Sequence, residues 1–379
     1  MRGPAALVRN GAGSPPASLM GSRSMRHRLF RREAMLLGGL LVLATAVVSG
    51  TGSSYNIFLL TSVLLATLGA LALNLLMGTA GQVSIGNSAF LATGAFAAVA
   101  ETRAGLPFPA DLIGAAVVAG AIGLIVGLPA LRIKGLYLAL ATLAAFYVVT
   151  FAATQYQSNA VGPAGFVLNP IFVGSPEEQA RRWSWVACGV VICCLTLVTL
   201  IEKGRSGRAW RLIRQSESAA SLVGIPVATY KLLAFVITSA IIGIQGALAA
   251  HVAGSVSSDS YTIQMAVTYI AMIFIGGLDS MTGSLIGAAL VTLLPHLSTT
   301  LLQSIFGADQ AAKSAAYSQI LYGVLIVVCI VYAPRGIVGL SHDLTRWARS
   351  RRLAHPAAPP TPTAPPVADG TKMPEVNDD

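Results

Sequence analysis

Tyr55-Asn-Ile-Phe-Leu-Leu-Thr-Ser-Val-Leu-Leu-Ala-Thr-Leu-Gly-Ala-Leu-Ala-Leu-Asn-Leu-Leu-Met77 runs for 23 residues without one charged side chain. A helix needs about 20 apolar residues to cross the hydrocarbon of a bilayer, so this stretch predicts a membrane span. Similar segments recur at 34–49, 83–100, 111–131, 135–153, 183–201, 230–251, 263–278, 283–302 and 317–332. With 54% hydrophobic and 11% charged residues over 379 positions, the chain is far too apolar for a soluble domain of this size. The expected fold is an all-α membrane protein, a polytopic bundle of about ten transmembrane helices. Segments 34–49 and 83–100 are short, which leaves tilting, re-entry or local thinning of the bilayer open for each.

The net charge of +10 could suggest nucleic acid, but the basic residues sort by side of the membrane, which favours orientation over nucleic-acid binding. If the first span runs outward, only Arg103, Arg181, Arg182 and Lys313 of the 25 Lys and Arg fall outside. Both termini are then expected in the cytoplasm. Residues 1–33 form a basic arm, expected to be disordered, although its Arg-rich composition is also that of a targeting leader. The transmembrane core is assigned to 34–340, and the Pro-rich stretch within 341–379 reads as a disordered tail. Cys188, Cys193, Cys194 and Cys329 all lie in apolar segments without metal-ligand spacing, so they read as small packing residues. The helically spaced pairs Gly123/Gly127 and Gly283/Gly287 read as close packing within one bundle.

Two segments interrupt this apolar pattern. Gly78-Thr-Ala-Gly81-Gln82-Val-Ser84-Ile-Gly86-Asn87-Ser88 is a polar, glycine-rich entry to a span. Irregular backbone at membrane depth is tolerated where it is buried in protein or lines a wet cavity. Asn74, Gln82, Ser84 and Asn87 are therefore candidates for a translocation path, against the alternative that they are interhelical hydrogen bonds. The second interruption is the polar loop 202–231. Advancing 100° per residue from Trp210 puts Ala209, Leu212, Ile213, Ser216, Ala219, Ala220 and Val223 on one face, with Arg208, Arg211, Arg214 and Glu217 opposite and Trp210 and Leu222 as exceptions. One amphipathic helix over 208–222 is expected on the cytoplasmic side, preceded by Gly207 and stopped by Gly224 and Pro226. Its small-residue face suits docking into a protein groove; the alternative is a helix lying on the lipid surface.

No lysine follows a glycine, so the chain carries no phosphate-binding Gly-Lys-Ser/Thr loop and is not expected to hydrolyse ATP. The acids Glu101, Asp111, Asp259, Asp279 and Asp309 sit at expected span ends, which deprives proton coupling of its usual mid-membrane carboxylate. A hydrolase would need an activated nucleophile. Ser84 with His251 or His296 can be drawn as such a dyad, but the local string lacks the nucleophile-elbow spacing.

Glu217, Ala219, Ala220 and Gly224 resemble the Glu-Ala-Ala-x-x-x-Gly loop of ATP-binding-cassette importer permeases, with Ser218 inserted. Gly81-Gln82-x-Ser84-x-Gly86-x-x-Ala89-Phe90, Leu131-Arg132-Ile-Lys-Gly135-x-Tyr137, Tyr230-Lys231-Leu-Leu-Ala-Phe235 and Pro334-Arg335-Gly336-Ile-Val-Gly339-Leu340 are similar to the LivM-type permease of branched-chain amino acid importers. The chain departs from the family pattern at Asn87, Phe96 and Leu136. The resemblance implies a non-enzymatic permease subunit for branched-chain amino acids or related amino acids and amides. It further implies a homologous second permease, two ATP-binding subunits that hold ATP and Mg, and a periplasmic binding protein. No cofactor or metal is expected in this chain. Arg211, Glu217, Ala220 and Gly224 would couple to the ATPases. An ion-coupled secondary transporter or channel is the alternative, with the hydrolase behind it.

Overall fold

In the computed structural model the described residues are 35–50, 52–131 and 135–306, with Ile320, Gly323, Val324, Val327 and Gly336 beyond them. The chain divides into two units, Met1–Leu340 and Ser341–Asp379. The arm expected over 1–33 and the tail expected over 341–379 lie outside the described residues.

Nine of the ten apolar segments are helical. They form α1 (Met35–Gly50), α2 (Ser54–Asn74), α3 (Asn87–Arg103), α4 (Ala110–Ala130), α5 (Leu136–Ala160), α6 (Pro176–Lys203), then α9 (Val227–Ala253), α10 (Ile263–Gly276) and α11 (Met281–Phe306). Two short helices, α7 (Arg205–Gln215) and α8 (Glu217–Leu222), stand between α6 and α9. Of the tenth segment, Ile320, Gly323, Val324 and Val327 are described, and all four are helical and exposed. Six helices are long and apolar enough to cross a membrane: α2 with its continuation to Thr79, α4, α5, α6, α9 and α11.

The short segment 83–100 contains one continuous helix, α3, and no hairpin. Its helix starts at Asn87, after non-helical backbone over 80–86 in which Gly81 takes φ 70°. Ile85 N–H donates to Thr142 Oγ1 near the start of α5 at 3.0 Å. At the other end of α3, Glu101 lies against Gly114 in the first turns of α4. α3 therefore runs from one end of the bundle to the other.

α9 is central and packs against α2, α3 and α4. Lipid is as apolar as leucine, so helices in a bilayer associate through close packing rather than through exclusion of water. Gly243 meets Ala115 and Ala119 of α4 on one side and Gly94 of α3 on the other, and Gly246 lies on the backbone of Leu91. At these positions a side chain would push the backbones apart. Gly123 and Gly127 face Ser239 and Leu232, while Gly283 and Gly287 face Gly276 and Met272. Both pairs thus pack within this chain. α2 is the most enclosed spanning helix, 78% buried, against 22% for α5. Ile113, Val117, Ile125, Val148 and Phe151 stand about two-thirds exposed on α4 and α5, an apolar surface suited to hydrocarbon and not to water. Cys188 and Cys194 are buried, Cys193 is exposed on the same helix, and Cys329 lies outside the described residues.

The strand pairing among the described residues is a two-residue antiparallel ribbon of β1 (Phe166–Val167) and β2 (Ser255–Val256). It ties the α5–α6 connection to the end of α9.

The glycine seam gives a directional prediction. Gly243→Val overpacks the contact with α3 and α4 and should cost about 1–3 kcal/mol. Gly189→Ala, whose new Cβ meets nothing within 4 Å, should stabilise α6 by up to about 1 kcal/mol. Thermal unfolding in detergent should show Tm moving in opposite directions; equal shifts would contradict the seam.

Candidate functional site

The loop 202–231 does not form the single helix that the periodicity predicts. Ser216 is extended (φ −161°, ψ 114°) and splits it into α7 and α8. Serine favours this break because its side chain can replace the missing turn: Ser216 Oγ accepts from Ala219 N at 3.2 Å. Gly207 does not precede the helix but lies inside α7, where a Cβ would run into the backbone of Glu202. α8 ends as expected, with Gly224 at φ 82° and Ile225 N–H returning to Ala220 O at 3.0 Å, the bond pattern of a left-handed helix cap.

The break resets the helical phase, and the apolar face divides between two surroundings. Ala209 and Ile213 are buried together with Trp210, which the 100° wheel puts among the charges. The Trp210 indole is fully enclosed and donates to Tyr230 O at 2.7 Å. α7 therefore spends its apolar side on its own bundle. Ala220 is buried as well, whereas Leu222 and Val223 stand 88% and 74% exposed. Arg211 is exposed and donates to Glu202 O at 3.0 Å. Glu217 pairs with Lys231. Gly224 is exposed with open space around it.

Beneath the loop lie the places where the membrane helices lose regularity. α2 continues through a π turn, Leu75–Thr79, into the non-helical stretch 80–86. α10 and α11 meet in a tight turn where Asp279 takes φ 65°, an uncommon conformation for a residue with a side chain. Asn74 joins the two breaks: its Nδ2 donates to Ser280 O at 2.8 Å and Ser284 Oγ at 2.7 Å, and its Oδ1 accepts from Asp279 N at 2.9 Å. Gly336, from the Pro334-Arg335-Gly336 motif, lies against Gly277 in the same turn. Thr79 Oγ1 donates to Glu202 Oε1 at 2.9 Å, Gln82 Nε2 donates to Lys231 O at 3.0 Å, and Arg214 donates to Gly78 O. A cavity of about 100 Å³ remains between Gly81, Gln82, Ile213, Arg214, Glu217 and Lys231.

The four path candidates fall into two pairs. Asn74 and Gln82 are hydrogen-bonded within the protein and act as clamps between elements. Ser84 and Asn87 are buried, and Ser84 Oγ and Asn87 Oδ1 have no partner among the described residues. Leaving such an oxygen unpaired costs about 1–3 kcal/mol, so these two positions call for water or a polar solute. Ser88 Oγ, Thr238 Oγ1 and Gln245 Oε1 share this state. Thr238 and Gln245 are seven residues apart on α9, the spacing of one helical face, a signal available in the sequence although neither stands out there.

The histidines are engaged elsewhere. His251 Nε2 bonds Asp111 Oδ2 at the opposite end of α9, with Trp183 stacked on the imidazole at 5.8 Å and Phe108 edge-on at 5.7 Å. His296 Nδ1 faces Tyr55 OH at 3.2 Å. Ser84 Oγ bonds neither ring, so the hydrolase dyad does not form.

Comparison with known proteins agrees with this architecture. The family model for the branched-chain amino acid transport system / permease component matches residues 55–330. The high-affinity branched-chain amino acid transport system permease protein LivM of Escherichia coli is 26% identical over 340 residues, covering 82% of this chain and 76% of its own. The probable branched-chain amino acid transport permease protein LivH of Methanocaldococcus jannaschii is 26% identical over 164 residues, 43% of this chain and 49% of its own. The autoinducer 2 import system permease protein LsrD of Salmonella typhi is 28% identical over 209 residues, 54% of this chain and 58% of its own. The family match spans well over half of a chain whose helices are those of a multi-pass membrane protein, and the chain belongs to the branched-chain amino acid transport system permease family.

Proposed function

We propose that this chain is a permease subunit of an ATP-binding-cassette importer in the bacterial inner membrane, with loop 202–231 in the cytoplasm as the point where partner ATPases act. It would work beside a second, homologous permease, over two ATP-binding subunits that hold ATP and Mg, and would receive substrate from a periplasmic binding protein. Branched-chain amino acids are the leading substrate class, with related amino acids and amides behind them. The observation that carries this reading is the exposed Leu222–Val223 pair at the end of a loop otherwise fixed to the bundle. A bulky apolar tip held on a stiff, polar mount fits a groove on a partner. The partner's closing motion would move this tip and shift the permease pair between outward-facing and inward-facing states. Ser84 and Asn87, with Ser88, Thr238 and Gln245, supply unpaired polar atoms that a passing polar solute can use.

One observation favours the ion-coupled alternative: Asp111 and His251 are buried as a pair, their side chains 1% and 2% exposed. Buried ionisable groups in transporters often carry protons. In the leading reading the pair instead fastens α4 to α9.

Reconstituting the complex with its ATP-binding subunits and measuring uptake of labelled leucine tests the proposal. Gly224→Pro and Glu217→Lys should each lower uptake by about tenfold or more in a complex that still assembles. Leu222→Asp with Val223→Asp should reduce co-purification of the ATP-binding subunits. Full uptake and assembly in all these variants would remove the loop from the mechanism. Asp111→Asn separates the two readings: ATP-dependent uptake should persist within about threefold, whereas an ion-coupled carrier would lose its gradient-driven transport.

A further inference from the structure

We propose that Arg214 is the positioning residue that passes movement of the α7–α8 loop to the broken ends of the membrane helices. The inference rests on the loop being where a partner acts, and it names the side chain through which that action crosses to the rest of the chain.

Several other side chains of the loop bond back to the helices contiguous with it. Arg208 and Arg211 donate to Lys203 O and Glu202 O at the end of α6, and Trp210 donates to Tyr230 O at the start of α9. These contacts fix the loop to its own stems. Arg214 reaches further, touching two elements distant in sequence. Its guanidinium donates to Gly78 O in the π turn that ends α2, and Nη1 lies 3.5 Å from Asp279 Oδ2 in the α10–α11 turn. Its stem fills the space beside Gly81: a Cβ built on that glycine would come 2.8 Å from Arg214 Cγ. One guanidinium nitrogen, Nη1, thus lies against both a carbonyl and a carboxylate from two different breaks.

The elements it grips are those able to move. A regular helix resists local displacement because each shift breaks its hydrogen-bond ladder. π turns and positive-φ turns are already off that ladder and recur at functional sites. Asp279 N–H is held by Asn74 Oδ1 at 2.9 Å, so a displacement of Arg214 is felt by α2 directly through Gly78 and again through Asp279 and Asn74. Stretch 80–86 follows immediately and leads into Ser84 and Asn87, with their unpaired oxygens. The ion pair itself is well exposed, with side chains 38% and 43% accessible. Such pairs add little to stability, so replacing either partner should leave the fold intact while altering what the contact transmits.

Hydrogen exchange on the assembled complex, with and without ATP and vanadate, tests this. In the wild type, nucleotide should change exchange about threefold or more in two places, the loop at 217–224 and the stretch at 78–86. Arg214→Gln should keep the first change and lose the second, and Asp279→Asn, approached from the other side of the contact, should weaken the second. Tm within about 2 °C of wild type would show that both variants fold. If 78–86 responds equally in wild type and Arg214→Gln, or does not respond in wild type while 217–224 does, the transmission role is overturned. If nucleotide leaves 217–224 unchanged in the wild type, the loop is not where the partner acts, and the functional reading fails with the inference that rests on it.

Discussion

Wherever this chain meets hydrocarbon, its backbone has to satisfy its own hydrogen bonds, because lipid offers none. That requirement accounts for the nine apolar helices among the described residues. It also makes the exceptions informative. The π turn at Leu75–Thr79, the non-helical stretch 80–86 and the turn at Asp279 are places where the regular ladder stops. All three lie beneath α7 and α8, and groups of the loop or its stems contact each: the Arg214 side chain meets Gly78 and Asp279, the Glu202 carboxylate accepts from Thr79, and the Lys231 carbonyl accepts from Gln82. Irregular backbone inside a membrane protein needs protein around it, and here the polar loop supplies much of that cover.

The same arrangement separates two jobs within the loop. α7 is bound to the bundle by Trp210, Ala209 and Ile213, and it behaves as part of the permease body. α8 is short, capped by Ser216 and Gly224, and its far end is open. A rigid mount with an exposed apolar tip transmits displacement better than a loose loop would. Glycine packs the bundle closely: Gly94, Gly243 and Gly246 bring α3, α4 and α9 into backbone contact.

Much of this was legible in the sequence. The apolar segments mark the helices because hydropathy is a local property, and Gly224 marks a helix end because positive φ is one too. What is not local did not show. The partner of Asn74 is some 206 residues away at Ser280, and His251 meets Asp111 across 140 residues; neither acid–base nor amide pairing over such distances leaves a pattern in one sequence. Ser216 illustrates a subtler limit. A serine is tolerated in a helix and favoured at its start, and only the position of the bundle decides that a new helix begins there. That single break resets the phase of α8 and leaves Leu222 and Val223 as the exposed apolar pair, while Trp210 is buried with Ala209 and Ile213 in α7.

Under the proposed function, transport by this chain is driven by ATP on another. Labelled leucine uptake into vesicles containing the complete complex, compared with vesicles containing this chain alone, measures this. Uptake should require internal-side ATP, stop on its depletion and be absent from the single chain whatever ion gradient is imposed. Uptake by the chain alone, driven by a proton or sodium gradient and indifferent to ATP, would contradict it.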